Sequence, residues 1–441
     1  MTEHTLAAVV MAGGLGTRMR SAVPKHLHPL LGRRMVDWVL EAARPLRPDP
    51  LVVVASPESA GALAGGGTVV AVQERPLGTG DAVRSARQAL GAAETVLVLS
   101  GDTPLLTSTL LEELLETHRR ERAAATVLSF LPDDLRSYGR VARDERGRVR
   151  AIVEAADATP EELAIREANA SIYVFAAERL WPALERLRPV NAQGELYLTD
   201  AVRDLVAEGG VVAAHVASDP EETEGVNTRA ELAAAAAALR DRVNEAHLLA
   251  GVGIVDPGST WIEPTVALEP DCVVHPFTVL RGATTVAAGA EVGPHVVAVD
   301  AEIGPGAQVG PFCYLRPGTA LGEAAKAGTF VELKNARIGA RTKVPHLSYL
   351  GDADVGEDTN IGAGGITVNF PHQPGRPKGR TTIGSNVRTG VDNAFVAPVT
   401  IGDDAWIAAG SVITEDVPAG ALAIARARQV NKEGRGGKRH D

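Results

Sequence analysis

An α/β domain on a doubly wound sheet, followed by a parallel β-helix, is the fold class that the sequence predicts, and three observations carry it. Short apolar runs alternate with amphipathic helical stretches from Leu6 to about Asn227; an Ala- and Leu-rich stretch without Gly or Pro spans Thr228 to Leu249; beyond it a strict period of six sets in. The expected division is therefore residues 1–227, a linker helix over 228–249, and a repeat domain over 250–441.

The apolar runs Leu6–Met11, Leu51–Ala55 and Thr95–Leu99 are short and continuous, as expected of parallel strands covered on both faces. Met35–Ala43 and Leu110–Glu121 have helical periodicity and lie between such runs. A β-α-β series of this kind places ligands at the carboxyl ends of its strands.

In the second half, Leu268, Val274, Leu280, Val286 and Val292 are six residues apart, as are Ile303, Val309, Leu315 and Leu321, and the run from Ile383 through Thr389, Phe395, Ile401 and Ile407 to Ile413. Gly follows the apolar position at Gly304, Gly310, Gly322, Gly339, Gly356, Gly362, Gly384, Gly390 and Gly402. Every sixth residue then points into a narrow prism, and each coil is stabilised by the next one stacked on it. Gly322–Ala336 and Asn369–Arg380 break the period and are expected to be loops leaving the coil.

Composition narrows the function classes. A chain of 441 residues that is 45% hydrophobic and 22% charged, without a bilayer-length apolar run or a secretory leader, points to a cytoplasmic protein. Its net charge of -11 argues against general nucleic-acid binding, and the basic tail Lys432–Arg439 is expected to be solvated. The two cysteines, Cys272 and Cys313, are too few for a disulfide framework or a zinc site.

Chemistry is concentrated in two places. The first strand runs into Met11-Ala12-Gly13-Gly14-Leu15-Gly16-Thr17-Arg18-Met19, with Pro24-Lys25 shortly after. The glycines let backbone N–H groups approach a triphosphate, and Arg18 and Lys25 supply positive charge. Asp102 ends an apolar strand and Asn227 precedes the linker helix, and each bears a side-chain oxygen. Their local readings are a strand-end turn for Asp102 and a helix N-cap for Asn227. The second cluster comprises Arg316, Glu332, Lys334, His346, Tyr349, Asp352 and Asn360, which stacked coils would bring onto one wall.

Together, Gly-x-Gly-Thr-Arg-Met with Pro-Lys, Gln73 with Leu77-Gly78-Thr79-Gly80, Ser100-Gly101-Asp102, Tyr138-Gly139-Arg140, Val153-Glu154, Asn169, Asn191–Glu195 and Glu224–Asn227 resemble one family. It is that of the bifunctional N-acetylglucosamine-1-phosphate uridyltransferase / glucosamine-1-phosphate acetyltransferase, and the resemblance extends to about Gly434. It implies a Rossmann-like nucleotidyltransferase domain before a left-handed β-helix of hexapeptide repeats, a homotrimer, and no membrane or nucleic-acid partner. The implied substrates are UTP, glucosamine 1-phosphate, N-acetylglucosamine 1-phosphate and acetyl-CoA; the product, UDP-N-acetylglucosamine, feeds cell-wall synthesis.

By the same resemblance Asp102 and Asn227 hold Mg²⁺, and Lys25 and Arg18 stabilise the triphosphate. Met11, Ala12, Gly13, Gly14, Gln73, Gly78, Thr79, Ser100 and Gly101 line the nucleotide, while Gly139, Glu154 and Asn169 hold the sugar. In the repeat half, His346 is the implied general base, and Arg316, Lys334, Tyr349 and Asn360 bind the sugar phosphate. Ala363, Asn369, Phe370, Val391, Ala409 and Arg426 fall at the acetyl-CoA positions, with Lys378 and Arg380 expected to meet its phosphates.

The sequence departs from the family at defined places. Phe370 stands for a usual Tyr, Val391 for a Ser, and Pro371–Gly379 for a shorter Asp-Gly loop. In the first half, Met11-Ala12-Gly13 stands for Leu-Ala-Ala, Asp81 for a His, Ala155-Ala156 for more polar residues, and Ser171 for a Gly. These leave two alternatives open: a paralogue with nucleotidyl transfer alone or with an altered acyl donor, sugar or nucleotide, and a non-catalytic assembly subunit.

Overall fold

The structure, a computed structural model, describes residues 5–14, 16–135, 137–371, 375 and 377–433. Chain contacts divide it into two compact units, Met1–Ala238 and Leu239–Asp441.

The first unit is built on strands β1 (Leu6–Ala12), β2 (Leu51–Ala55), β3 (Val69–Val72), β4 (Thr95–Ser100), β5 (Ala125–Phe130), β6 (Arg140–Arg143), β7 (Val149–Val153), β8 (Ala168–Ala176) and β9 (Val212–Val216). Their order across the sheet is β9-β5-β8-β4-β1-β2-β3, with β6 and β7 as a hairpin beside β8. The continuous apolar runs are explained by burial on both faces. In β1, Ala7 and Val9 enter one core while Ala8, Val10 and Ala12 enter the other; in β4, Val96 and Val98 divide in the same way from Leu97 and Leu99.

Helices cover both faces. α1 (Met35–Ala43) and α3 (Ser108–Glu121) pack on one, and α2 (Thr79–Ser85), α4 (Ala177–Arg186) and α5 (Leu198–Ala207) on the other. The three apolar runs read as parallel strands do pair parallel, while β8 runs antiparallel to both β4 and β5, so the sheet is mixed. The run Ile172–Phe175 is apolar and buried, as it would be in either direction, so the sequence pattern carries no sign of strand polarity.

The second unit is a coil of short parallel strands in three stacked columns. One column runs Val274, Val292, Val309, Ala327, Val344, and a second runs Ile262, Leu280, Ala298, Leu315, Leu333, Leu350. The third runs Leu268, Val286, Ile303, Leu321, Ile338, Val355, Ile383, Ile401. Three phases of the six-residue period thus form the three walls of the prism, and their side chains make one core.

Gly322–Ala336 does not leave the coil. It contains β10 (Lys326–Thr329) and most of β11 (Glu332–Ile338), both in register with their neighbours. Ala327 takes the inward place, flanked by Lys326 and Gly328, so the apolar signal is too weak to read there. Asn369–Arg380 lies between Ile366–Val368 and Thr381–Ile383 without a strand among its described residues; part of the Pro371–Gly379 insertion, like Leu15 and most of the basic tail, lies outside them.

The linker is α6 (Arg229–Leu249). Its cap is Thr228, whose Oγ1 accepts from the Glu231 N–H at 3.2 Å, while Glu231 Oε2 accepts from the N–H groups of Asn227 and Thr228 at 2.7 and 2.8 Å. Asn227 is therefore not the N-cap, and its side chain is free to face elsewhere.

Candidate active sites

In the first unit, the carboxyl ends of β1 and β4 lie side by side, tied by Gly101 N–H donating to Met11 O at 2.9 Å. Gly101 permits this approach, since a Cβ there would come within 2.8 Å of Met11 O. Past these ends opens a cavity of about 460 Å³ lined by the loop glycines, Arg18, Lys25, His26, Gln73, Gly78, Thr79, Ser100, Asp102 and Asn227.

Asp102 and Asn227, far apart in sequence, converge on one ammonium. Lys25 Nζ forms an ion pair with Asp102 Oδ2 and donates to Asn227 Oδ1 at 2.7 Å; Arg18 Nη2 donates to the same Asn227 oxygen at 2.9 Å. Burial alone would raise the Asp102 pKa, but Lys25, His26 and the Ser100 hydroxyl, which donates to it at 2.6 Å, bring it down to about 2. The carboxylate is thus charged, and it shares a cation position with a second hard oxygen. Two such oxygens fit a divalent metal whose other ligands are phosphate and water. Among the described residues no group of three acidic, His or Cys side chains offers a fuller protein cage.

Sequence reasoning missed His26. It is 5% exposed, lies against Gly14 and Gly101, and burial, reinforced by Lys25, lowers its pKa to about 4 against the opposing pull of Asp102. Its place beside Lys25 in Pro-Lys-His was the only available signal.

Gly139, Glu154 and Asn169 come together on the hairpin side. Asn169 N–H donates to Gly139 O at 2.9 Å, and a Cβ on Gly139 would lie 3.4 Å from Glu154 Oε2. Thr199 Oγ1 donates to Glu154 Oε1 at 3.0 Å, and burial raises the Glu154 pKa. Glu154 opens on a separate cavity of about 460 Å³ with Asn191, Tyr197, Thr199 and Asp200. Of these, Thr199 carries a contact that its helical position alone does not announce.

In the second unit, β12 (Lys343–His346) and β13 (Tyr349–Val355) stack on β10 and β11, which sets Thr329 beside His346 and Glu332 beside Tyr349. Arg316 Nη1 donates to Glu332 Oε1 at 2.8 Å, and Glu332 is the residue opposite Tyr349. The Tyr349 hydroxyl stands over Gly351, where a Cβ would be only 2.2 Å away, and Asn369 reaches the same place. Asn369 donates to Asp352, which also accepts from Asn335 at 2.6 Å.

Lys334 and Lys378 are neighbours. The Lys378 ammonium, with Arg316 beyond it, holds Lys334 below the ordinary lysine range. Arg380 forms a two-point ion pair with Asp354. His346 is exposed. Asn360 lies one coil further, its main chain bridged to Lys343 and Arg388. Ala363 O accepts from Asp392 N–H at 2.8 Å, Val391 O accepts from Gly410 N–H at 2.8 Å, and Ala409 and Arg426 flank Gly390 and Gly410. These four therefore follow one another up one edge, while Phe370 is 68% exposed.

Residues 8–207 match the family model for the MobA-like NTP transferase domain. The bifunctional protein GlmU of Streptomyces coelicolor is 49% identical over 97% of this chain and 93% of its own length. The proteins of that name from Mycolicibacterium vanbaalenii and Mycobacterium tuberculosis are 48% and 49% identical over 97% of this chain, and 92% and 91% of their own. With about half its residues shared along nearly its whole length, the chain belongs to the family of the bifunctional protein GlmU.

Proposed function

We propose that this enzyme makes UDP-N-acetylglucosamine in two steps, acetylating glucosamine 1-phosphate and then transferring UMP from UTP to the product. The observation that carries the nucleotidyl step is the convergence of Asp102 and Asn227 on Lys25 at the mouth of the glycine loop.

In the acetyl step the sugar amine attacks the thioester carbonyl of acetyl-CoA, the C–S bond breaks, and the amine proton passes to His346. Arg316 and Lys334 face the sugar phosphate, and Lys378, expected at the coenzyme's phosphates, stands beside Lys334, so that a bound anion stabilises both ammonium groups. In the second step a phosphate oxygen of N-acetylglucosamine 1-phosphate attacks the α-phosphorus, and the bond to the β-phosphate breaks with loss of pyrophosphate. Mg²⁺ held by Asp102 and Asn227 would neutralise the phosphates during that displacement. Lys25 and Arg18 hold the triphosphate, and Gly139, Glu154 and Asn169 hold the sugar. The reading includes a cytoplasmic homotrimer.

The purified full chain, supplied with each half-reaction's substrates and Mg²⁺, is expected to run both. Nucleotidyl transfer without acetyl transfer would favour the paralogue reading, to which the exposed Phe370 and Val391 at the coenzyme edge lend weight. Inactivity of the folded protein in both would favour an assembly subunit.

A further inference from the structure

Two of the sequence departures, Gly13 and Asp81, meet at one side chain. Gln73 follows β3 and is 6% exposed. Its Nε2 donates to Gly78 O at 3.1 Å and to Asp81 Oδ2 at 3.0 Å. A carbonyl and a carboxylate can only accept, so the amide has one permitted orientation. Asp81 sits in the first turn of α2, is 8% exposed, and is held through its other oxygen by Arg84 Nη2 at 2.5 Å.

The carbonyl end of Gln73 is consequently turned toward the loop. A Cβ built on Gly13 would stand 3.1 Å from Gln73 Oε1, close enough that the amide would have to give by a few tenths of an ångström, while the main chain of Ala55 and Ser56 lies at ordinary contact, 3.6 Å. Alanine here would press on the oxygen; glycine lets the amide lie where Asp81 can hold it. Among the described residues no donor meets Oε1, and both Gln73 and Gly13 line the cavity with Gly78 and Thr79.

We propose that Asp81 and Gly13 are positioning residues that lock the Gln73 amide with its oxygen toward the nucleobase, so that the site takes a base offering a ring N–H beside a carbonyl. Uracil and thymine present that N3–H. Cytosine presents an unprotonated N3, and two acceptors then face each other. The inference rests on the nucleotidyl-transfer reading and adds the residues that hold the Gln73 amide in its orientation. A site built to pair a ring N–H rejects the analogue lacking it far more strongly than shape alone would.

UTP and CTP differ at that edge only, so their ratio of kcat/KM isolates the effect. The full-length enzyme, Asp81→Ala and Gly13→Ala are each assayed with both nucleotides, with acetyl transfer by the same preparations as the measure of folding. The unmodified enzyme is expected to prefer UTP by at least about 100-fold. Each variant is expected to lower that preference at least about tenfold, with acetyl transfer unchanged, because a freed amide can turn its NH₂ toward cytosine. Variants that lose UTP activity but keep the ratio would show a purely structural role and overturn the inference. An unmodified enzyme that acetylates but transfers no nucleotide would overturn the reading on which it rests, and one that uses both nucleotides alike would overturn the lock itself.

Discussion

Side chains buried without charge set how this protein responds to acid. His118 is 7% exposed, bonded to Thr126 at 3.0 Å, and its pKa is lowered to about 4, by burial first and by Arg119 second. The folded pKa lies below that of an unfolded histidine, so the unfolded chain binds more protons between the two values. The stability that the neutral ring contributes is therefore complete above about pH 6.5 and is lost as pH falls toward 4, up to about 3 kcal/mol. Urea unfolding from pH 7 to pH 4 is expected to show this decline, and His118→Leu to flatten it. A variant slope equal to that of the unmodified chain would contradict the assignment.

At the scale of elements, the coil depends on places where main chains touch. A Cβ on Gly328 would lie 2.1 Å from Pro345 O in the next coil, which cannot yield without parting β10 from β12. Gly328→Ala is expected to destabilise the second unit by about 1–3 kcal/mol, read by thermal unfolding, while nucleotidyl transfer at 25 °C is retained. The α6 cap offers a milder case. Thr228→Ala removes the oxygen that accepts from Glu231 N–H and is expected to cost about 1 kcal/mol. Its neighbour Asn227 separates the two roles that sequence left open: Asn227→Ala is expected to lower nucleotidyl transfer at least about tenfold with less effect on stability than Thr228→Ala.

For the molecule as a whole, there are two units with separate cores, and the proposed chemistries divide between them. His346→Ala is expected to lower acetyl transfer at least about 100-fold and leave uridylyl transfer intact; Asp102→Ala is expected to do the reverse. Mixing the two variants should restore the conversion of glucosamine 1-phosphate to UDP-N-acetylglucosamine, because the intermediate diffuses between them. Failure of the mixture, with each variant retaining its own half-reaction, would mean that the intermediate is not free.

Sequence by itself determined the periodicities and therefore the two architectures. Residues buried on both faces must be apolar without alternation, as in Leu6–Ala12, and residues pointing into a prism must recur every six positions. It also marked the glycine loop, Lys25, Asp102 and the polar positions around His346, since such residue types are written in the local chain. Only the tertiary structure decided that β8 runs antiparallel, that Lys326–Thr329 stays in the coil, and that Thr228 rather than Asn227 caps α6. It alone set Lys378 beside Lys334, committed Arg380 to Asp354, and joined Gly13 and Asp81 through Gln73. The physical reason is common to all of these. A strand's direction, an inward alanine and a hydrogen bond between distant residues depend on which partner stands opposite, and one residue's chemistry does not encode its partner.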